Sequence, residues 1–147
     1  KVNNMMFDAE GNVLCVIDLD TVMPSFVFSD YGDFLRTGAN FVAEDSDDFK
    51  AVGFNDVIFK AFTEGYLSSA LPFLTPVEIS HLPFAAALFP YMQCVRFLTD
   101  YLNGDTYYKI KYDEHNYVRT KNQLLLFQDA RRKERMMTEF IHQTIRQ

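Results

Sequence analysis

Tryptophan is absent from this 147-residue sequence, and cysteine nearly so. Cys15 and Cys94 cannot make a disulfide framework, which fits a reducing compartment, so a cytoplasmic location is expected. Basic residues are in the minority, 14 Lys and Arg against 20 Asp and Glu, for a net charge of −6. Binding to nucleic acid or to an anionic membrane surface needs a basic footprint, so neither partner is expected. No apolar run approaches the roughly 18 residues of a membrane span. The longest, Leu82 to Met92, is interrupted by Pro83 and Pro90. Glycine is sparse: residues 11, 32, 38, 53, 65 and 104 never form G-x-G-x-x-G or a P-loop. His81, His115 and His142 are too far apart in sequence for metal-ligand spacing, so a zinc site is not expected. A Cys–His nucleophile is equally unsupported, because Cys15 sits mid-strand and Cys94 mid-helix, where buried structural thiols belong.

What is abundant is aromatic. Fifteen Phe and eight Tyr stand in a chain that is 48% hydrophobic and 23% charged, an ordinary globular balance of about one domain's size. Such side chains can fill a sizeable core, and some are expected to cover a surface that another segment normally occupies. A chain that opens at Lys1 and enters a strand-like run within five residues is expected to be part of a longer polypeptide.

Met5-Met6-Phe7 and Val13-Leu14-Cys15-Val16-Ile17 flank the turn cluster Asp8-Ala9-Glu10-Gly11-Asn12, which predicts a β-hairpin over about 5–17. A helical body is expected over about 46–147. Ser46 to Lys50 reads as a short helix start. Asn55 reads as the N-cap of a helix to about Leu71, with Val57, Ile58, Phe62 and Tyr66 at helical spacing. Thr75-Pro76-Val77-Glu78 combines a cap, a first-turn proline and a capping box. Pro83 and Pro90 should bend or break the helix that follows. It resumes to Asn103, with Gly104 as its stop. Asn116 reads as the cap of a final segment, one long helix or two. The fold class is therefore mainly α with a small β-hairpin.

The polar residues fall at particular places. Asp18-Leu19-Asp20 follows the second strand directly; these carboxylates are either solvated loop residues or ligands for a cation. A hairpin sets Asn4, before its first strand, beside Asp18, after its second. That is an oxygen-rich site suited to Mg²⁺, which takes one or two carboxylates and completes its shell with phosphates and water. Asp20 reads as a loop cap, and Asp33 with Arg36 as a local i, i+3 ion pair. The run Arg131-Arg132-Lys133 is interleaved with Asp129, Glu134 and Glu139, as on a solvated helix face.

Three stretches together carry a resemblance. Lys1-Val2-Asn3-Asn4-Met5-Met6-Phe7-Asp8, then Val16-Ile17-Asp18-Leu19-Asp20-Thr21-Val22-Met23-Pro24, then Asp30-Tyr31-Gly32-Asp33-Phe34-Leu35-Arg36-Thr37-Gly38-Ala39-Asn40 look like the aminoglycoside phosphotransferase and choline kinase superfamily. Within it the sequence is most similar to the N-acetylhexosamine 1-kinases. Arg96 to Asp105, Tyr107-Tyr108-Lys109 and His115-Asn116 resemble the same group.

The resemblance implies the carboxy-terminal lobe of a protein-kinase-like fold. It also implies ATP and Mg²⁺ as cofactors of the intact enzyme, with a small sugar or amino-alcohol as acceptor. In that family's H-x-D-x-x-x-x-N loop Asn4 takes the final position, chosen over Asn3 because an aliphatic strand follows it at once. The catalytic Asp is then expected upstream of Lys1, with the amino-terminal lobe, so no catalytic residue is expected within this chain and the chain alone is expected to be inactive. Asn4 and Asp18 match the metal positions. Asp30 matches an aspartate that braces the catalytic loop by accepting backbone hydrogen bonds. Arg96, Asp100 and Tyr107 are the substrate candidates; Arg96 and Asp100 are also spaced for a surface ion pair, and Tyr107 also suits a core. The rivals are a phosphotransferase acting on choline or an aminoglycoside, and a non-catalytic helical binding module. With its partner surfaces uncovered the chain is expected to form a homodimer through the hairpin or the vacated cleft.

Overall fold

A computed structural model of the chain describes residues 4–20 and 22–146. Lys1, Val2, Asn3 and Thr21, which belong to the motifs above, lie outside the described residues. The fold is mainly helical, with one small antiparallel hairpin. Strand β1 (Met5–Phe7) pairs with β2 (Val13–Val16), and four helices follow: α1 (Phe28–Gly38), α2 (Asp56–Ala70), α3 (Pro76–Leu102) and α4 (His115–Thr144).

The hairpin forms as its sequence dictates. Met5 faces Val16 and Met6 faces Cys15, with an irregularity before Phe7. The Asp8 carboxylate accepts from the backbone N–H groups of Glu10 and Asn12 and from the Asn12 amide, and Gly11 supplies the φ of +88° that closes the turn. The Asn12 side chain foremost holds the Asp8 carboxyl below the usual aspartate range. Met6, Phe7 and every residue of β2 are exposed, and Met5 is half-buried. Cys15 is therefore exposed, not the buried thiol expected of a mid-strand position, whereas Cys94 is buried as expected and burial pushes its thiol up.

The helical body begins at Phe28, earlier than expected, because α1 belongs to it. Tyr31, Gly32, Leu35 and Arg36 are the buried face of α1. Helix α2 starts where Asn55 accepts from the N–H groups of Val57 and Ile58. At the start of α3 the Thr75 N–H donates to Glu78 Oε2 at 2.7 Å, and the Glu78 N–H donates to Thr75 Oγ1 at 3.3 Å. Pro83 and Pro90 do not break α3, which stays helical over 27 residues. Both rings are buried, and α1 and α4 pack along the helix there, so tertiary packing offsets the lost backbone hydrogen bonds. Gly104, at φ +84°, ends the turn after α3.

Helix α4 is a single helix of 30 residues, and Asn116 does not cap it. Glu114 holds the cap position without a side-chain bond, and Asn116 lies inside the first turn, where its amide nitrogen donates to Asp100 and Asp105 and its oxygen accepts from Arg119. The expected short helix at 46–50 is also absent. Residues 43–51 form turns, with the Phe49 N–H donating to the Asp47 carbonyl and the Asp48 N–H to Ser46 Oγ. The carbonyls of Ala43 and Ser46 are taken by the Asn122 amide of α4 instead. At the far end of this loop the Phe54 N–H donates to Asp129 Oδ2 at 2.8 Å, and Lys133 bridges the Phe54 carbonyl, Asp56 and Asp129. The basic run of α4 is thus only partly a solvated face, since Lys133 fastens the α2 entry. Tyr31, Phe54, Phe59, Leu82, Leu126 and Met137 fill the core between the helices.

Candidate functional site

Two places gather the polar residues singled out above. The first is the open end of the hairpin. β1 starts right after Asn4, and the Ile17 N–H donates to the Asn4 carbonyl at 2.9 Å, extending the ladder one step beyond β2. Asp18, next in the chain, turns to φ +64°, a left-handed conformation that aspartate tolerates better than most residues. The Asn4 amide donates to Asp18 Oδ2 at 2.9 Å. Residues 14 positions apart thus meet at one exposed edge, with the Asn4 amide nitrogen toward the carboxylate. The Asn4 amide oxygen and the Asp18 carboxylate are hard donors of the kind a divalent cation takes, with water or phosphate in the rest of its shell. Asp20 is exposed and caps nothing among the described residues. Asp30 is exposed in the first turn of α1 and accepts no hydrogen bond from the described residues; the backbone it is expected to brace is not among them. After burial, the Asp30 carboxylate is the next cause pushing the Tyr66 phenol up.

Asp33 pairs with Arg36 as expected, Nε to Oδ1 at 2.9 Å, and the guanidinium also reaches Glu44 Oε2 at 2.7 Å. Arg36 is buried, so this double pairing compensates its desolvation and joins α1 to the loop after it.

The second place is an open groove of about 400 Å³ along the last turns of α3 and the segment after it. All three substrate candidates line it, with Val95, Thr99, Asn103, Thr106 and Tyr108. Helical spacing puts Arg96, Thr99, Asp100 and Asn103 on one side of α3. Arg96 and Asp100 do not pair. The Arg96 guanidinium lies 5.7 Å from the centre of the Tyr108 ring. Tyr107 is 74% exposed, which removes the core reading. Tyr107 and Tyr108 meet edge to face at 4.8 Å and form an aromatic wall.

Asp100 has a different part. It is buried, and its two oxygens accept from the Tyr107 and Tyr108 N–H groups at 2.9 Å each and from the Asn116 amide at 2.9 Å. Burial raises its pKa, but these bonds and one from the Thr106 N–H outweigh that and hold the carboxyl below the usual range. The carboxylate is therefore spent on shaping the groove wall, and Arg96 is the charge left to meet a ligand. The sequence does not mark Thr99 and Tyr108 as groove residues, nor Asn116 as the partner that holds Asp100. The i, i+3 relation of Thr99 to Arg96 is legible there; the role of Asn116, 16 residues from Asp100, is not.

A second cluster secures the loop before α4. Asp45 Oδ2 accepts from Lys111 Nζ at 2.7 Å and lies 3.4 Å from His115 Nε2, while the Lys111 N–H donates to His115 Nδ1. The Lys111 side chain foremost holds the Asp45 carboxyl low. Asp129 is also held low: its burial is outweighed by the Phe54 N–H, Arg132 and Lys133.

These depressed values predict an acid limb of stability. A carboxylate whose folded-state pKa lies below its unfolded value near 3.9 contributes fully above that value. The contribution disappears as pH falls through the depressed folded-state value. Thermal midpoints should hold steady above about pH 5 and drop below pH 4. Asp100→Asn should lower the midpoint at pH 7 and flatten the acid limb. A limb of unchanged steepness in that variant would show that Asp100 takes no part. No family model matches the sequence.

Proposed function

We propose that the chain is the carboxy-terminal lobe of an ATP-dependent small-molecule kinase, related to the aminoglycoside phosphotransferases and acting on the anomeric hydroxyl of an N-acetylated hexose. One observation carries the reading: the hairpin sets the Asn4 amide 2.9 Å from the Asp18 carboxylate at the end of its second strand. Kinase-fold enzymes use an Asn and a strand-end Asp to hold Mg²⁺ against the nucleotide phosphates. Asn4 and Asp18 would hold that ion, which supplies charge neutralisation during transfer. Catalysis in such enzymes is mainly positioning and electrostatic stabilisation, so the groove's contribution is to hold the acceptor. Arg96 donates to acceptor oxygens, the tyrosine pair offers an apolar wall to a ring, and Thr99, Asn103 and Thr106 supply directional hydrogen bonds.

The groove also ranks the acceptors. A choline or aminoglycoside cation would meet the Arg96 charge, and the nearby Asp100 carboxylate is already engaged. A neutral sugar meets no such cost. The test is phosphoryl transfer by the longest natural polypeptide that carries this chain, with N-acetylhexosamines, choline and aminoglycosides offered in parallel. N-acetylhexosamine turnover is expected, with Arg96→Ala raising KM at least about tenfold through a lost charged hydrogen bond. Turnover of choline alone, or unchanged KM in the variant, would reject the acceptor assignment.

A further inference from the structure

Helix α3 is apolar nearly all round. Of its 27 residues only Glu78, Arg96 and Asp100 are acidic or basic at neutral pH. Glu78 is held in the capping box and Asp100 is buried, which leaves Arg96 as the exposed charge. A helix of this kind is normally surrounded, yet among the described residues α1, α4 and the segment around Tyr108 leave one side of α3 open. Despite its 27 residues it is not long and apolar enough to cross a membrane.

Its open side is patterned. Phe84, Leu88, Tyr91, Val95, Leu98 and Leu102 recur at alternating steps of four and three, the spacing of a helix–helix seam. Five of them are classed as exposed, from 36% for Leu98 to 73% for Leu102, and Leu88 is half-buried. Val77, seven residues before Phe84, continues the line and is also exposed.

We infer that this stripe of α3 is a self-association surface on which a second copy of the chain packs its own α3 antiparallel, about a two-fold axis near Tyr91. The register supports a copy of the same stripe. With Tyr91 on the axis the two Tyr91 rings meet each other, Phe84 faces the partner copy's Leu98, and Leu88 lies within one residue, about 1.5 Å, of facing its Val95, so apolar side chains oppose apolar ones from Phe84 to Leu98. The two Arg96 charges fall about 15 Å apart along the axis and do not repel closely. The area is sufficient. Half-exposed large side chains leave roughly 100 Å² each, so the stripe offers on the order of 600 Å² per copy, near the about 800 Å² per partner of a standard interface. The hairpin edge is a weaker candidate, because its strands have only three and four residues and an irregular register, features that discourage edge pairing.

Sedimentation of the full 147-residue chain from 1 to 100 μM, with circular dichroism to confirm folding, tests the inference. A monomer–dimer equilibrium is expected within that range. Leu98→Lys should shift its midpoint upward at least tenfold, and Leu14→Lys on the hairpin should leave it in place. In a Cys15→Ser background, Tyr91→Cys should form an intermolecular disulfide on mild oxidation, while Val77→Cys, far from the axis, should not. A monomer at every concentration would overturn the inference. So would a dimer that Leu14→Lys dissolves and Leu98→Lys does not, or one that Tyr91→Cys fails to cross-link.

Discussion

Asp18→Asn is expected, on the proposed kinase reading, to lower ATP-dependent transfer at least about 10²-fold in the longest natural polypeptide that carries this chain. The change keeps the side chain's shape and removes its charge. Asn4 Nδ2 donates to Asp18 Oδ2 in the folded chain, and an amide there retains an acceptor oxygen, so the hairpin should survive. On that reading what is lost is negative charge toward the proposed divalent cation, a charge that matters most as a transferring phosphoryl group develops its own. Asp33→Asn is the control. Asp33 serves Arg36, which keeps Glu44 as a second partner, so its loss should affect stability more than rate. Equal rates for wild type and Asp18→Asn at saturating Mg²⁺ and ATP would remove Asp18 from the metal site.

The largest stability effect is expected at Gly32. An added Cβ would stand 2.4 Å from a ring carbon of Phe89 and 2.7 Å from the Ala85 carbonyl oxygen. Phe89 is a side chain with some freedom, but the Ala85 oxygen is backbone in the middle of α3. Helices α1 and α3 must therefore separate to admit even a methyl group. Gly32→Ala gains about 1 kcal/mol of helix propensity. Overpacking costs typically 1–3 kcal/mol, and a rigid backbone contact puts this site at or above the upper end, so about 2 kcal/mol should be lost on balance. Gly32→Val, with less propensity gain and more bulk, should lose about 3 kcal/mol or more, roughly 6–12 °C in thermal midpoint for a chain of this size. Gly65, within α2, meets nothing within 4 Å of its virtual Cβ. Gly65→Ala should accordingly raise stability by about 0.5–1 kcal/mol. Opposite signs at the two glycines are the expected result of calorimetry on both variants. A gain at Gly32 would show that α1 and α3 do not approach so closely.

The residues that decide local structure could be read directly. The Asp8–Asn12 turn, the Asn55 cap, the Thr75–Glu78 box and the Gly104 stop are short-range devices, each satisfied within four or five residues, and each forms as its sequence spells out. The Asn4–Asp18 pair was legible for a related reason: a tight hairpin leaves few ways to place its two ends. Arg96, Asp100 and Tyr107 could be brought to one groove because they lie within 12 consecutive residues. Long-range competition decided the rest. Whether Pro83 and Pro90 break α3 depends on what packs beside it. Asn116 lies inside the first turn of α4 with its amide on Asp100, and whether residues 46–50 coil depends on Asn122, 76 residues away from Ser46. Exposure of Cys15 followed from β2 having no cover, and the chemistry of Asp100 from its burial among backbone N–H donors. A hydrogen-bonding group has one set of partners in the folded chain. Nearby partners can be counted along the sequence, whereas distant ones exist only once the helices have packed.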